Sequence, residues 1–213
     1  MTLKKYFRRA VAIIPSVLIC ALGVNFFILA DFGSDPLTTF EIGLSNVLGI
    51  QLGSASLLFE GSIFIIFFIF RRKFVNIGTA IWCLMVGPFI NFFTFILQPI
   101  VIELGELSLF LRIIFMLIGT ILIVLSLAYY IPINLGYAAN DVLAFAIVEK
   151  LNCKYGSALT FVSASLFIIG VIMNAPWGIG TLVSILFLGK LIDFTIPYTK
   201  KITYFVCGME TKK

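Results

Sequence analysis

Long apolar stretches alternate with short polar breaks along the whole chain, and this pattern predicts its elements. A helix needs about 20 apolar residues to cross the hydrocarbon core of a bilayer. Six stretches meet that length: residues 11–30, 53–70, 76–98, 109–131, 155–173 and 177–196. Two further apolar runs, Pro36–Leu48 and Ala139–Leu151, are too short for a full crossing. We expect these two to be re-entrant helices or amphipathic helices at the membrane interface.

The polar breaks before the two short runs match each other at a fixed offset. Gly33 and Gly136 lie 103 residues apart, and after a slip of one residue the later matches keep the same order. The matched pairs are Gly33 with Gly136, Gly53 with Gly156, Gly78-Thr79 with Gly180-Thr181, Gly87 with Gly189, and Asn91 with Asp193. This regularity indicates an internal duplication. One copy covers about residues 11–98 and the other about 109–197 of a single membrane domain, and residues 198–213 form a predicted cytoplasmic tail.

The composition places the whole chain in the membrane. Hydrophobic residues make up 61% of the sequence and charged residues 12%, and the mean hydropathy is +1.14. A soluble domain with this much apolar surface would aggregate, whereas a bilayer accepts it as solvent. We therefore predict an all-α polytopic protein of the cytoplasmic (plasma) membrane. Its first apolar stretch is expected to be a retained helix and not a cleaved signal peptide.

The positions of the positive charges favour one topology. With six crossings and a cytoplasmic N-terminus, every Lys and Arg except Arg112 and Lys190 lies at or near a cytoplasmic end of a span. Eight crossings would place Arg71, Arg72 and Lys73 outside, against the positive-inside rule. Both termini are thus predicted to be cytoplasmic. Because the basic residues stand beside span ends, the net charge of +5 gives no reason to expect nucleic-acid binding.

Three crossings per copy have a geometric consequence. The second copy must be upside down relative to the first, so the two copies are predicted to be inverted repeats of three helices. Matched short helices in two inverted halves are typical of secondary transporters and of some channels.

The two polar breaks supply the candidate substrate-binding residues. Asp31, Ser34 and Asp35 belong to the first break, and Asn134, Asn140 and Asp141 belong to the second. The N–H groups at the start of a short helix can hold an anionic or polar group, whereas Asp35 and Asp141 would suit a cation or an amine. For Asp31 and Asp35, simple helix capping at a loop in water is an equally good interpretation.

Ionisable residues inside the spans are the candidates for ion coupling. Glu60 lies within a long apolar stretch, where a charge is costly and usually faces the bundle interior. Lys190 and Asp193 are three residues apart, hence on one helical face, and Asn91 is the counterpart of Asp193. The pair is interpreted as a coupling element or as a buried internal salt bridge, and pairing of Glu60 with Lys190 is an alternative.

Two further glutamates lie in the short runs. Glu149 is expected to be solvated near the cytosol, and Glu41 is a candidate for lining a cavity. The sequence has no histidine, and its four cysteines have no CxxC spacing, so we expect no metal, cofactor or disulfide. Motifs of nucleophilic or metal-dependent enzymes are also absent, and we expect no enzymatic activity.

Short glycine-containing motifs resemble the YczE/YitT-type family of small bacterial membrane proteins. The similarity rests on residues 30–36 and 53–55 with Gly78-Thr79 and Gly180-Thr181. The pattern typical of that family is Ala-Asp-apolar-Gly-x-x-Pro followed by Trp-Asp. The first half here continues with Leu37-Thr38 instead, while Asp141 of the second half aligns with Thr38. Members of this family are largely uncharacterised, so the resemblance implies a fold and little function.

Together these features predict a secondary transporter or permease for a small polar solute. Its site would lie between two inverted repeats near the bilayer midplane. The alternatives are an accessory substrate-binding subunit that works with a partner protein, and a passive channel. The expected partners are the lipid bilayer, a small molecule or ion, and either a second copy of the chain or another membrane protein.

Overall fold

The described part of the protein is built from helices alone, as the sequence predicts. A computed structural model describes residues 3–104, 107–153 and 155–209, and these residues form eight helices and no strand. The helices are α1 Leu3–Ala30, α2 Pro36–Leu48, α3 Leu52–Phe70, α4 Ile77–Leu104, α5 Leu109–Tyr130, α6 Ala139–Leu151, α7 Tyr155–Ile172 and α8 Ile179–Cys207. The basic residues Lys154, Lys212 and Lys213 lie outside the described ranges.

The lengths of these helices differ from the predicted spans in three places. Five helices, α1, α3, α4, α5 and α8, are long and apolar enough to cross a membrane, whereas the apolar part of α7, Ser157–Ile172, is shorter. Helix α1 begins at Leu3, ahead of the predicted span. Helix α8 continues to Cys207, so most of the predicted C-terminal tail is helical. A π-helical turn, Ser184–Leu188, interrupts α8.

The two short helices have the predicted bounds because local sequence signals fix their ends. Asp35 caps α2 and accepts hydrogen bonds from the N–H groups of Leu37 and Thr38 over 3.1 and 3.2 Å, while Pro36 occupies the first helical position. At their C-termini, Gly49 and Asn152 are left-handed, with φ of 64° and 51°.

The polar breaks before the short helices share an unusual backbone conformation. Asp31 and Asn134 are both left-handed, with φ of 53° and 52°. Gly33 and Gly136, two residues further on, also have positive φ. The breaks thus correspond residue by residue at the spacing read from the sequence.

Helices α1 and α5 pack antiparallel along a stripe of small residues. Ser126 Oγ donates to the carbonyl of Ser16 over 2.7 Å, and a Cβ added at Gly23 would lie 3.1 Å from the carbonyl oxygen of Gly119. Later residues of α1 thus contact earlier residues of α5, so the two helices run in opposite directions. Small residues here let the two backbones approach closely.

The eight helices form two groups joined mainly on one side. The long bundle consists of α1, α4, α5 and α8, and the short bundle consists of α2, α3, α6 and α7. Helix α3 packs extensively on α4 and connects the two bundles. Within the described residues, α7 and α8 make no comparable contact.

Helix α2 runs parallel to α7, along the second half of that helix. A Cβ added at Gly43 would lie 2.8 Å from the carbonyl oxygen of Gly170, and Asn46 donates to the carbonyl of Asn174 over 3.1 Å. Later residues of α2 therefore meet later residues of the α7 segment. Arg71 and Lys73, which follow α3, form ion pairs with Glu149 near the end of α6.

Four chain segments rich in basic residues meet at one end of the molecule. Tyr6 donates to Asn76 Oδ1 over 2.7 Å, and Arg8 donates to the carbonyl of Phe205 over 3.0 Å. With the contacts of Glu149, these bonds gather the start of α1, the α3–α4 turn and the ends of α6 and α8. We call this end the basic face.

Candidate functional site

Each polar break is closed by the first turn of the last helix in the other half. The N–H of Gly78, at the start of α4, donates to the carbonyl of Leu135 over 3.0 Å. The N–H of Gly180, at the start of α8, donates to the carbonyl of Phe32 over 2.8 Å. The halves therefore exchange equivalent contacts, and the starts of α4 and α8 position the two breaks.

Glycine and threonine allow this close approach. A Cβ added at Gly33 would lie 2.5 Å from the N atom of Gly178, and one at Gly136 would lie 2.6 Å from that of Thr79. The threonines Thr79 and Thr181 are fully buried. Thr79 Oγ1 accepts a hydrogen bond from the N–H of Tyr137 over 3.0 Å, so it satisfies a donor of the second break.

Three carboxylates lie together where the short bundle faces the long one. Glu41 of α2 and Glu60 of α3 are each only 2% exposed, and both are close enough to Asp35 to interact electrostatically with it and with each other. Glu41 accepts a hydrogen bond from Ser56 Oγ over 2.9 Å. We call Asp35, Glu41 and Glu60 the carboxylate cluster.

The long bundle presents no basic side chain to this cluster within the described residues. Cys83 and Trp82 of α4 lie beside Glu60, Cys20 of α1 lies near all three carboxylates, and Tyr130 of α5 lies near Glu60. The groups around the carboxylates are thus thiols, a phenol and an indole. None of these neighbouring groups carries a positive charge that could balance ionised carboxylates in the cluster.

Several buried polar atoms of the cluster, of Tyr130 beside it and of the starts of the two short helices have no hydrogen-bond partner among the described residues. They are Ser34 Oγ, Glu60 Oε2, Tyr130 Oη and Asn140 Oδ1. Each of these four oxygens can accept a hydrogen bond. Because unsatisfied buried polar groups are costly and rare in native proteins, their concentration marks a site that a polar ligand or water would complete.

The predicted substrate-binding residues divide between this region and the surface. Ser34 is buried, and Asp35, Asn140 and Asp141 are half-buried at the starts of the short helices. In contrast, Asp31 and Asn134 are exposed turn residues. Asp31 accepts a hydrogen bond from Arg112 over 2.6 Å, so it joins α1 to α5 away from the cluster.

The predicted coupling residues also divide. Glu60 is buried in the cluster, whereas Lys190 and Asp193 are exposed and are not brought to it. The ion pairs of the described residues do not include the Lys190–Asp193 salt bridge that was one interpretation of this pair. Asn91 is half-buried between α3 and α4, where it accepts from the N–H of Gly53 over 2.8 Å and donates to Ser54 Oγ over 3.2 Å.

Glu41 is the residue that sequence reasoning left undecided and the structure places centrally. Its only signal in the sequence is a carboxylate within a short apolar helix. Glu149 is exposed and paired with Lys73 and Arg71. A groove of about 490 Å³ between α6 and α7 is mostly apolar and includes none of the carboxylates. No group of three acidic or cysteine residues in the described ranges is arranged to hold a metal ion.

Comparison with known proteins identifies relatives over most of the chain. The model of a family of unknown function (DUF6198) matches residues 7–197. The uncharacterized membrane protein YczE of Bacillus subtilis is 25% identical over 201 residues, which cover 92% of this chain and 88% of that protein. The uncharacterized protein YyaS of Bacillus subtilis is 27% identical over 185 residues, 87% of this chain and 90% of YyaS.

An uncharacterized protein of Haemophilus influenzae is 24% identical over 191 residues, 85% of this chain and 84% of the relative. No solved structure matches the chain. The relatives confirm the YczE-type resemblance. With the long apolar helices, they support a multi-pass location in the membrane.

Proposed function

The chain belongs to the DUF6198 family of unknown function, and we propose that it is a secondary transporter or permease for a small polar solute. The carboxylate cluster is its substrate site, and the two bundles move against each other to expose that site to alternate sides of the membrane.

The proposed topology has six crossings in the inner membrane, with the basic face in the cytoplasm. Supporting it, the start of α1, the α3–α4 turn and the ends of α6 and α8 meet at that face. Positive charge is retained on the cytoplasmic side of membrane proteins. Helices α2 and α6 are then re-entrant, which fits the parallel packing of α2 along α7.

The two halves act as inverted repeats in this proposal. Antiparallel packing of α1 on α5, matched left-handed residues at both breaks, and the exchanged bonds from Gly78 and Gly180 all support the symmetry. Inverted repeats give a transporter two conformations of similar energy, because each half can adopt the arrangement of the other.

A difference between equivalent positions is the observation that carries the proposal. In the first half, α3 and α4 are in backbone contact: a Cβ added at Gly87 would lie 2.8 Å from the N atom of Leu57. Asn91 also bonds the N–H of Gly53. In the second half, a Cβ added at Gly189 meets nothing within 4 Å, and Asp193 is exposed.

In the second conformation, the α3–α4 pair adopts the separated arrangement and the α7–α8 pair adopts the closely packed one. Helix α8 approaches α7, with Gly189 at the contact and Asp193 near the start of α7, while α4 separates from α3. In the proposed topology the α3 start faces outward and the α7 start faces the cytoplasm. The present structure therefore corresponds to an inward-facing conformation in which the carboxylate cluster is still buried.

Substitution at Gly189 tests this proposal without disturbing the present structure. Gly189→Ala places a methyl group in open space here, but it would obstruct the α7–α8 contact of the other conformation. In proteoliposomes, we expect wild-type protein to move solutes from a panel of radiolabelled compounds, with protons followed by an internal pH dye. Gly189→Ala is expected to fold normally and to lose at least roughly 90% of the flux.

Gly61→Ala is the matched control, because its added Cβ meets only Leu84 Cδ2 at 3.9 Å. It should retain wild-type flux. Flux that does not saturate with concentration would indicate a channel instead. Absence of any flux in the wild type, with a partner protein co-purifying, would indicate an accessory subunit.

A further inference from the structure

No positive charge from the residues that the structure describes balances the carboxylate cluster. Glu41 and Glu60 are both buried and lie near each other and near Asp35. Two carboxylates at this depth cannot both be ionised unless a positive charge compensates them. The alternatives are therefore a bound proton or a bound cation.

The groups that face the pair from each packed helix are neutral or acidic. Asp35 is at the start of α2, Cys20 is on α1, Cys83 on α4 and Tyr130 on α5, and Asp141 of α6 lies near Tyr130. Of the basic residues that the structure describes, the two away from the basic face do not approach the cluster. Arg112 is bonded to Asp31 and the carbonyl of Ala30, and Lys190 is exposed.

The unpartnered atoms near the cluster indicate the chemistry of the missing group. Glu60 Oε2 and Asn140 Oδ1 accept hydrogen bonds, and the hydroxyl groups of Tyr130 and Ser34 can accept them as well as donate. A ligand that presents several donors can therefore satisfy all four. A positively charged ammonium group combines those donors with the required charge.

An aromatic pair beside Glu60 favours an organic cation over a bare metal ion. Trp82, beside Glu60, packs on Tyr130 with centroids 4.5 Å apart. Aromatic faces attract cations and also accept the apolar part of an organic amine.

We propose that Glu41 and Glu60 bind one alkylammonium cation, and that its binding displaces one proton from the pair into water. This names the substrate class of the proposed transporter, and its role in transport rests on that function. Because a proton is replaced by a cation of the same charge, the net charge of the glutamate pair with its bound ion does not change. One cation moving in one direction is therefore coupled to one proton moving in the other.

Calorimetric binding on the full chain in lipid nanodiscs tests the site apart from transport. The probe is benzylammonium, titrated in two buffers of different ionisation enthalpy so that proton release is counted. We expect saturable binding with release of about one proton per cation. Glu60→Gln and Glu41→Gln should each weaken binding at least tenfold, whereas Glu149→Gln, at an exposed carboxylate, should leave it unchanged.

Three further probes separate the parts of the proposal. Benzyl alcohol lacks the charge and should not bind, and tetramethylammonium lacks N–H donors and should bind at least tenfold more weakly than benzylammonium. Binding of Na⁺ with proton release, in the absence of benzylammonium binding, would overturn the assignment to an ammonium ligand. Equal binding by wild type and Glu60→Gln would overturn the site.

Infrared difference spectra keep the test valid if the Gln variants do not fold. Adding benzylammonium to wild-type protein should remove the band of a protonated carboxyl group, and an unchanged band would contradict the exchange. Binding without flux in proteoliposomes would leave the site intact and refute transport. Flux that survives Glu60→Gln would refute the site and leave transport intact.

Discussion

Asn91 Oδ1 accepts a hydrogen bond from the backbone N–H of Gly53 over 2.8 Å, and this bond fastens the start of α3 to the middle of α4. The N–H groups in the first turn of a helix have no partner within the helix. A side chain from a neighbouring helix satisfies one of them here. The equivalent residue of the second half, Asp193, is exposed and leaves α8 apart from α7.

Removal of the Asn91 acceptor should loosen α3 from α4. We expect Asn91→Leu to lower the free energy of unfolding by about 1–3 kcal/mol, since it leaves a buried N–H without a partner. The measurement is denaturant unfolding in bicelles. Asp193→Leu is the matched control and should change stability by less than about 0.5 kcal/mol, and equal losses in the two variants would show that Asn91 has no special role.

Gly33 should be far less tolerant of a side chain than Gly49. Both residues have positive φ, 87° and 64°, so alanine is strained at either position. A Cβ at Gly33 would also clash with Gly178 and Thr181, whereas one at Gly49 meets nothing within 4 Å. Gly33→Ala should therefore cost about 1–3 kcal/mol more than Gly49→Ala in unfolding experiments. A smaller loss at Gly33 than at Gly49 would be inconsistent with the crossed closure of the breaks.

Asn25 should be the most important polar contact between α1 and α4. Its amide donates to the carbonyls of Ala21 and Ile90 over 2.9 and 3.1 Å, and its oxygen accepts from Thr94 over 2.8 Å. Asn25→Leu should lower stability by about 2–4 kcal/mol, the sum of several bonds of about 1 kcal/mol each. The exposed Asn46, which makes one bond to Asn174, provides the control, because Asn46→Ala should cost less than about 1 kcal/mol.

The contact of Glu149 with the α3–α4 turn should depend on pH. The hydrogen bond from Lys73, together with the charges of Lys73 and Arg71, lowers the pKa of the Glu149 carboxyl. A carboxyl whose pKa is lower in the folded state stabilises that state above its unfolded pKa, and the stabilisation is lost as pH falls through the folded pKa. Unfolding midpoints measured from pH 6 downward should therefore fall more steeply in wild type than in Glu149→Gln. Parallel curves would contradict the pairing.

The sequence predicts the short helices and the breaks well because their signals are local. Asp35 and Pro36 define the start of α2, and Gly49 defines its end. The spacing from Gly33 to Gly136 likewise identifies the two equivalent breaks. These features depend on backbone conformation and capping, which a few neighbouring residues determine.

Features that depend on packing between helices were not predictable in the same way. Lys190 and Asp193 share a helical face, but the π-helical turn Ser184–Leu188 before them changes the phase of α8. Each additional residue in a turn rotates the following face about the helix axis. Glu41 is buried because α2 packs on α3, where Ser56 Oγ donates a hydrogen bond to it, and this contact between two helices has no local sequence signal.

Distances between spin labels on equivalent helix pairs test the central claim most directly. Leu58 and Leu84 on α3 and α4 correspond to Phe161 and Leu186 on α7 and α8, and all four are exposed. In a cysteine-free background, one pair should lengthen as the other shortens when pH is changed or benzylammonium is added. Distances that stay fixed in both pairs under all these conditions, or that change in the same direction, would contradict an exchange between the two halves.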